Sequence, residues 1–591
     1  MDRLPALGSL ANLRPRVKSL PKFALPAGVL LLAAFLFFSR LGERAIWSEE
    51  LRWVEIPREM LLNHDLFRPT INGHSYYDKP LGSYWLVLAA SLFTGEVNEL
   101  AARIPCSIAG LIAVGLLMAM ARRLFDKTTA ALAGLILATS FSFAFFARNA
   151  TADMENLTGV LAALALLLWH EDRRGGWWTI GLWLIMAATS LTKGLPGFAL
   201  PLLVFGVDSC ISSLSAINLT RRGSPPPAPP DSRGAGGGEP RAIAQRFAWL
   251  LNRWSIVAIP LGMAAFLIPF AISGSQEGLS NGLELVYREN IKRFFQPHNH
   301  RGPIYLYGYV IFGLMAPWSV FLPAALLQAH HSCRVDALAR RGDRFALAFF
   351  WGLFIFFTLA ASRRSYYLLP ILPAGAMLIA RLLTAPRESI CRGARWLLNA
   401  GFAALVAIVL AAAVAFLPPA WRPAGLGANL PAVPALPIVA ALWLACIGVI
   451  GWALWQFSPR RAALAASIVA VAMLLYLNQI ALPEVESLRD GKAFALRVKD
   501  RLAGDVEHLA LFRTRDPVFY LAQPTPIREF LEPESLRQAV AAREVRWLII
   551  RQEHLSALSM PAKVIEREAA VAWDDESRKG GKLVLVELAG W

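Results

Sequence analysis

Long apolar stretches separated by short, mostly basic polar segments dominate the chain. A helix rising 1.5 Å per residue needs about 17–25 apolar residues to cross a hydrocarbon layer about 30 Å thick. Stretches that meet this demand lie near 24–38, 98–121, 128–146, 156–170, 176–192, 195–212, 253–273, 303–327, 345–361, 366–383, 396–417, 433–455 and 461–482. The pattern predicts an all-α polytopic membrane bundle of about thirteen spans. After residue 482 the pattern changes. Short strand-like runs at His508 to Phe512, Val545 to Arg551 and Lys582 to Leu588 surround a helical pattern at Glu534 to Arg543, which predicts a small α/β domain over 483–591. It contains no glycine-rich phosphate loop and no nucleophile elbow, so it is expected to cap or bind.

Charge supports this reading. The 591 residues are 56% hydrophobic and 17% charged, and the formal net charge is +17. In a soluble protein that excess would suggest nucleic acid. Here Arg3, Arg14, Arg16, Lys18 and Lys22 precede the first span, and Arg122, Arg123, Lys127, Arg173, Arg174, Arg334 to Arg344, Arg387 to Arg395, Arg460 and Arg461 fall in alternate loops. This is the positive-inside pattern, so the charge reports topology. It predicts a cytoplasmic N-terminus, an external C-terminal domain and no nucleic-acid partner. The first apolar run lacks a small-residue cleavage pattern and is expected to remain as an anchor. Five scattered cysteines have the spacing of neither a disulfide framework nor a thiolate metal site. Residues 222–241, rich in Pro and Gly, are expected to form a disordered cytoplasmic linker.

Ionisable groups concentrate in the segment after the first span, 39–97, which opens with Trp47-Ser-Glu-Glu-Leu-Arg-Trp-Val-Glu-Ile-Pro-Arg-Glu-Met60. Ser48 suits an N-cap, with Glu49 and Glu50 in the first helical turn. Acidic residues there ordinarily only complement the helix dipole. Asn72-Gly-His-Ser-Tyr-Tyr-Asp-Lys-Pro-Leu-Gly-Ser-Tyr-Trp85 follows in the same segment, and it changes the balance.

Together the two phrases resemble the GT-C class of lipid-carrier-dependent glycosyltransferases, in the branch of the lipid A aminoarabinose transferase and the protein O-mannosyltransferases. Further phrases are similar in family order: Arg148-Asn-Ala-Thr-Ala-Asp-Met-Glu-Asn156, Leu191-Thr-Lys-Gly-Leu-Pro196, Glu289-Asn-Ile-Lys-Arg-Phe through His298-Asn-His-Arg-Gly-Pro303, and Ser365-Tyr-Tyr-Leu-Leu-Pro370. All fall on the expected outer face. The resemblance implies sugar transfer from an undecaprenyl-phosphate-like donor to a lipid, protein or glycan acceptor at the periplasmic face of a bacterial inner membrane. It makes Glu49 the base, with Glu50 and Arg52 beside it. Lys79, Lys193 and Arg301 would hold the carrier phosphate, with Tyr367, Tyr77 and Asp153 nearby. The aminoarabinose branch further implies a zinc ion between positions matching Asp78 and His300, with His298 a competing ligand.

The sequence departs from the family at one position. Glu49 stands where the family normally has Asp, one methylene longer, which shifts the carboxylate by about 1 Å. A non-catalytic relative would fit that departure. A transporter or flippase of lipid-linked sugars is the reading from another class; it would place ionisable residues near the midplane, in broken spans.

Overall fold

The computed structural model describes residues 24–170, 173, 175–221, 250, 252–275, 302–335, 340–412, 436–455, 458–487, 489–503, 505–558, 560–569 and 582–589. The basic leader, the 222–241 linker, His298, His300 and Arg301 lie outside the described residues.

The chain enters as α1 (Ala24–Phe38), turns at Ser48–Glu50, and runs through α2 (Arg52–Leu62), a two-strand hairpin of β1 (Thr70–Ile71) and β2 (His74–Ser75), and α3 (Gly82–Thr94). Next come α4 (Glu99–Leu124), α5 (Lys127–Thr139), α6 (Phe141–Phe146), α7 (Asp153–His170), α8 (Trp177–Lys193) and α9 (Pro196–Arg221). Among the described residues seven helices are long and apolar enough to span a membrane, Glu99–Leu124 and Arg341–Leu359 among them. Leu306–Leu314 and Trp318–Arg334 pass the same test as a pair bent by 120°. The molecule is therefore a multi-pass helical membrane protein. The apolar run 303–327, expected as one straight span, is broken here.

A second difference is α3. The segment 39–97 is expected as loop, yet α3 forms an apolar helix of 13 residues inside it. At 1.5 Å per residue it reaches about 20 Å, too short to cross the membrane and so too short to register as a span. Its residue Gly82 meets α8 so closely that an added Cβ would lie 2.6 Å from the Leu191 carbonyl oxygen. Only glycine permits that approach.

The C-terminal part contains a five-stranded sheet of β3 (Leu509–Phe512), β4 (Arg528–Phe530), β5 (Trp547–Arg551), β6 (Ala562–Arg567) and β7 (Leu583–Leu588), in the order β4-β3-β5-β7-β6. β3 pairs in parallel with β4 and β5, whereas β7 is antiparallel to β5 and β6. Both sheet faces are covered, by Leu536 and Leu558 on one side and by Phe494 and Val498 on the other, which explains the unbroken apolar runs of β3, β5 and β7.

This part rests on the segment after α1. Asn72 donates its amide to the Ile527 carbonyl and accepts from the Ile527 amide, both at 2.7 Å, as a neighbouring strand would. Arg58 reaches the Gln523 carbonyl at 3.0 Å, and Lys492 and Tyr520 bind the Glu99 carboxylate at 2.6 and 3.1 Å.

Candidate active site

The acidic pair at the head of α2 is divided by its local geometry. A tight turn at Ser48–Glu50 advances about 120° per residue, so consecutive side chains cannot share a face. Glu50 points inward and is 2% exposed. Arg103 grips it from α4 at two points, Nε to Oε1 at 2.9 Å and Nη2 to Oε2 at 2.7 Å. The amides of Ala150 and Trp47 donate to it at 2.8 and 3.2 Å, and Arg44 stands 3.4 Å away. Burial alone would oppose ionisation. The Arg103 and Arg44 guanidiniums and the Ala150 amide outweigh burial and hold the carboxyl below the usual range.

Glu49 points the other way, with its side chain 71% exposed. It accepts a hydrogen bond from Arg52 at 2.7 Å, one turn along the chain. Arg52 is itself steadied: it donates to the Tyr76 hydroxyl at 3.1 Å and lies over the rings of Trp53 and Tyr76. Asp78, two residues beyond Tyr76, is exposed, and Tyr77 packs against the bundle core.

The remaining carboxylates of the opening phrase are committed elsewhere. Glu55 is buried and paired with Arg58 at 2.6 and 2.9 Å. Burial pushes its carboxyl up, against the pull of Arg58. Glu59 accepts from the Thr70 hydroxyl and from the Gly73 amide at 3.2 Å, fastening the hairpin to α2.

A second cluster forms where three elements end. Lys193 closes α8 and pairs with Asp153, which opens α7. The rings of Tyr366 and Tyr367, from the turn Ser365–Ile371, lie 5.7 and 5.6 Å from the Lys193 ammonium. Lys79 lies just ahead of α3, and α3 is tied to this place by the Ser83 hydroxyl donating to the Thr192 carbonyl at 3.2 Å. Lys193, Asp153 and Tyr367 therefore meet, and the segment of Lys79 adjoins them. The arrangement suits an anion with a sugar attached: ammonium donors, a carboxylate that orients one of them, and aromatic faces.

The zinc set is not assembled among the described residues. They contain no group of three or more His, Cys, Asp or Glu side chains placed to hold a metal, and Asp78 is the one described member of the expected pair.

Sequence reasoning passed over Arg103, the residue that sets the position of Glu50. A signal was present: Arg103 is a charge in the first turns of a long apolar helix, 1% exposed, and such a residue needs a partner. Tyr366 was likewise outside the expected set, although adjacent to Tyr367, which was in it.

Known proteins share much of this chain's sequence pattern and fold. The family model described as dolichyl-phosphate-mannose-protein mannosyltransferase matches residues 78–212. The undecaprenyl phosphate-alpha-4-amino-4-deoxy-L-arabinose arabinosyl transferase of Pseudomonas aeruginosa is 25% identical over 596 residues, covering 95% of this chain and 98% of its own length. An uncharacterized protein of Aquifex aeolicus is 27% identical over 78% of the chain and 79% of its own length. The structure of ArnT from Cupriavidus metallidurans in the apo state superposes with a TM-score of 0.62 at 20% identity, covering 95% of this chain and 97% of that one. The same protein bound to undecaprenyl phosphate gives 0.62 at 19%. The chain is similar in sequence and fold to the GT-C glycosyltransferases of the ArnT and protein mannosyltransferase family. The matched segment 78–212 holds Asp78, Lys79, Asp153 and Lys193, whereas Glu49 and the cluster's Tyr366 and Tyr367 lie outside it.

Proposed function

We propose that this transferase moves a sugar from a polyprenyl-phosphate donor to a hydroxyl of lipid A, or of a protein or glycan, at the periplasmic face of a bacterial inner membrane. The observation that carries this reading is the meeting of Lys193, Asp153, Tyr366 and Tyr367 beside α3, with an exposed carboxylate, Glu49, at the head of the neighbouring α2.

In the reaction Glu49 takes the proton of the acceptor hydroxyl as its oxygen attacks the anomeric carbon of the donor sugar. The bond from that carbon to the phosphate oxygen breaks, and polyprenyl phosphate leaves with the electron pair. Lys193, Lys79 and Arg301 take up the charge gathering on phosphate. Asp153 fixes the Lys193 ammonium, and Tyr367, Tyr366 and Tyr77 bound the sugar. Arg52 aims Glu49. Glu50 is a positioning residue: both its oxygens are occupied, and through Arg103 and Ala150 it sets where the turn bearing Glu49 can sit.

The same reading assigns residues 1–482 to a catalytic membrane part of about thirteen spans with a cytoplasmic N-terminus. Residues 39–97 become its first periplasmic segment, 222–241 a cytoplasmic linker, and 483–591 a periplasmic α/β domain clasping that segment. The alternation of basic loops in the sequence supports the orientation.

Membranes carrying the wild type, Glu49→Gln or Lys79→Ala test the reaction when given radiolabelled polyprenyl-phosphate sugars and extracted lipid and protein acceptors. Transfer that collapses in both variants is the expected outcome, and the labelled fraction identifies the acceptor. Lipid-linked sugar crossing vesicles with no transfer by the wild type would put a transporter in its place.

A further inference from the structure

Away from the Lys193 cluster, a cavity of about 210 Å³ opens where α1 ends, between the turn that follows it, α4, and the start of the C-terminal part. Four arginines line it, Arg40, Arg44, Arg103 and Arg148, together with two carboxylates, Glu43 and Glu486. The carboxylates are engaged. Glu43 pairs with Arg40 at 2.6 Å, while Glu486 accepts from the Ala45 amide at 2.8 Å and from Arg489 at 3.0 Å. Arg103 is saturated by Glu50 and by the carbonyls of Leu41, Arg44 and Ala45.

The other two arginines are not satisfied. Arg44 donates through Nη2 to Asn149 and weakly to Glu50, whereas its Nε is buried without a hydrogen-bond partner among the described residues. Arg148 donates one nitrogen, Nη1, to the carbonyls of Leu36 and Phe37 at the end of α1. Among the described residues no carboxylate lies within 4.0 Å of Arg148. Capping α1 accounts for Nη1 alone. Burial and the neighbouring Arg103 cation lower the pKa of Arg148 to about 10, and burial does the same for Arg44 against the pull of Glu50.

We propose that this cavity is a second anion site, in which Arg148 and Arg44, flanked by Arg40, bind a phosphate group. Guanidiniums present forked donors that match phosphate oxygens, and an anion here would supply the acceptor that the buried Nε lacks. Leu482 and Pro483 form an apolar wall beside the arginines, at the level where α1 ends, so a phosphate carried on a lipid headgroup fits the position as well as free phosphate does. The site also touches the catalytic turn, because Arg103 and Arg44 both contact Glu50. The inference concerns binding and stands whether or not the proposed reaction is correct.

Native mass spectrometry of the detergent-solubilised full chain reads it directly, with dioleoyl phosphatidic acid, dioleoylglycerol and inorganic phosphate as probes. Phosphatidic acid should give at least tenfold more adduct than dioleoylglycerol in the wild type and in Lys193→Ala, and at least tenfold less in Arg148→Gln than in the wild type. Competition by inorganic phosphate would mark a site for the phosphate itself; persistence against it would mark a site that also needs the acyl chains. Equal adducts with both lipids, together with no phosphate adduct, would overturn the proposal, as would loss in Lys193→Ala with retention in Arg148→Gln. Should Arg148→Gln fail to fold, the wild-type thermal midpoint decides: phosphatidic acid or phosphate must raise it where dioleoylglycerol does not.

Discussion

Arg103 and Glu50 are joined by two charge-assisted hydrogen bonds in a place where both side chains are at most 2% exposed, one from a membrane span and the other from the turn that presents the candidate base. A buried pair of this kind fixes geometry. Breaking it by removing one partner costs about 3–5 kcal/mol, since the other charge stays buried. Arg103→Met is therefore expected to lower the thermal midpoint sharply and to abolish transfer together with folding, as read by differential scanning fluorimetry beside the transfer assay.

Stability should also depend on pH through Glu50. Its carboxyl is held below the ordinary value, so the stabilisation is fully present above the unfolded value of about 4.3 and is lost as pH falls through the lower folded value. Wild type should lose midpoint steadily below about pH 4.3. Glu50→Gln, already lacking that ionised group, should start lower and fall less over the same window.

Glu49 is predicted to behave in the opposite way. Its pairing with Arg52 is largely solvated, and exposed ion pairs contribute little. Glu49→Gln should leave the midpoint unchanged while slowing transfer by about 10²–10⁴, the range ascribed to a general base. Glu49→Asp should retain transfer; its rate relative to wild type measures whether the extra methylene helps or hinders this acceptor.

Lys193→Ala should weaken the donor more than the acceptor, seen as a rise in KM for the polyprenyl-phosphate sugar. It leaves Asp153 without the ammonium beside it. The double variant Lys193→Ala with Asp153→Asn should therefore recover thermal stability without recovering transfer, which separates the packing of this pair from its chemistry.

Asn72→Ala removes both hydrogen bonds to Ile527 and leaves buried backbone groups unpaired, at about 1–3 kcal/mol each. Limited proteolysis should then release the C-terminal part sooner than in wild type.

Sequence patterning exposed what depends on solvent and missed what depends on distance along the chain. Spans such as Glu99–Leu124 and Arg341–Leu359 were legible because lipid demands a long apolar run. The strands Trp547–Arg551 and Leu583–Leu588 were legible because both faces of their sheet are covered. The edge strands Arg528–Phe530 and Ala562–Arg567 carry charged residues and gave no such run. The division of Glu49 from Glu50 is local but needs the backbone conformation of one turn. The Glu50 to Arg103 pair spans 53 residues, and no periodicity encodes it.

The clasp between Asn72 and Ile527 joins residues 455 positions apart. At about 5–20 residues per second, the ribosome needs some 20 to 90 s after releasing the first to deliver the second. During that interval the segment bearing Glu49 is already made and lacks its contacts with the C-terminal part, so a molecule interrupted late in synthesis would carry every candidate catalytic residue without that strap.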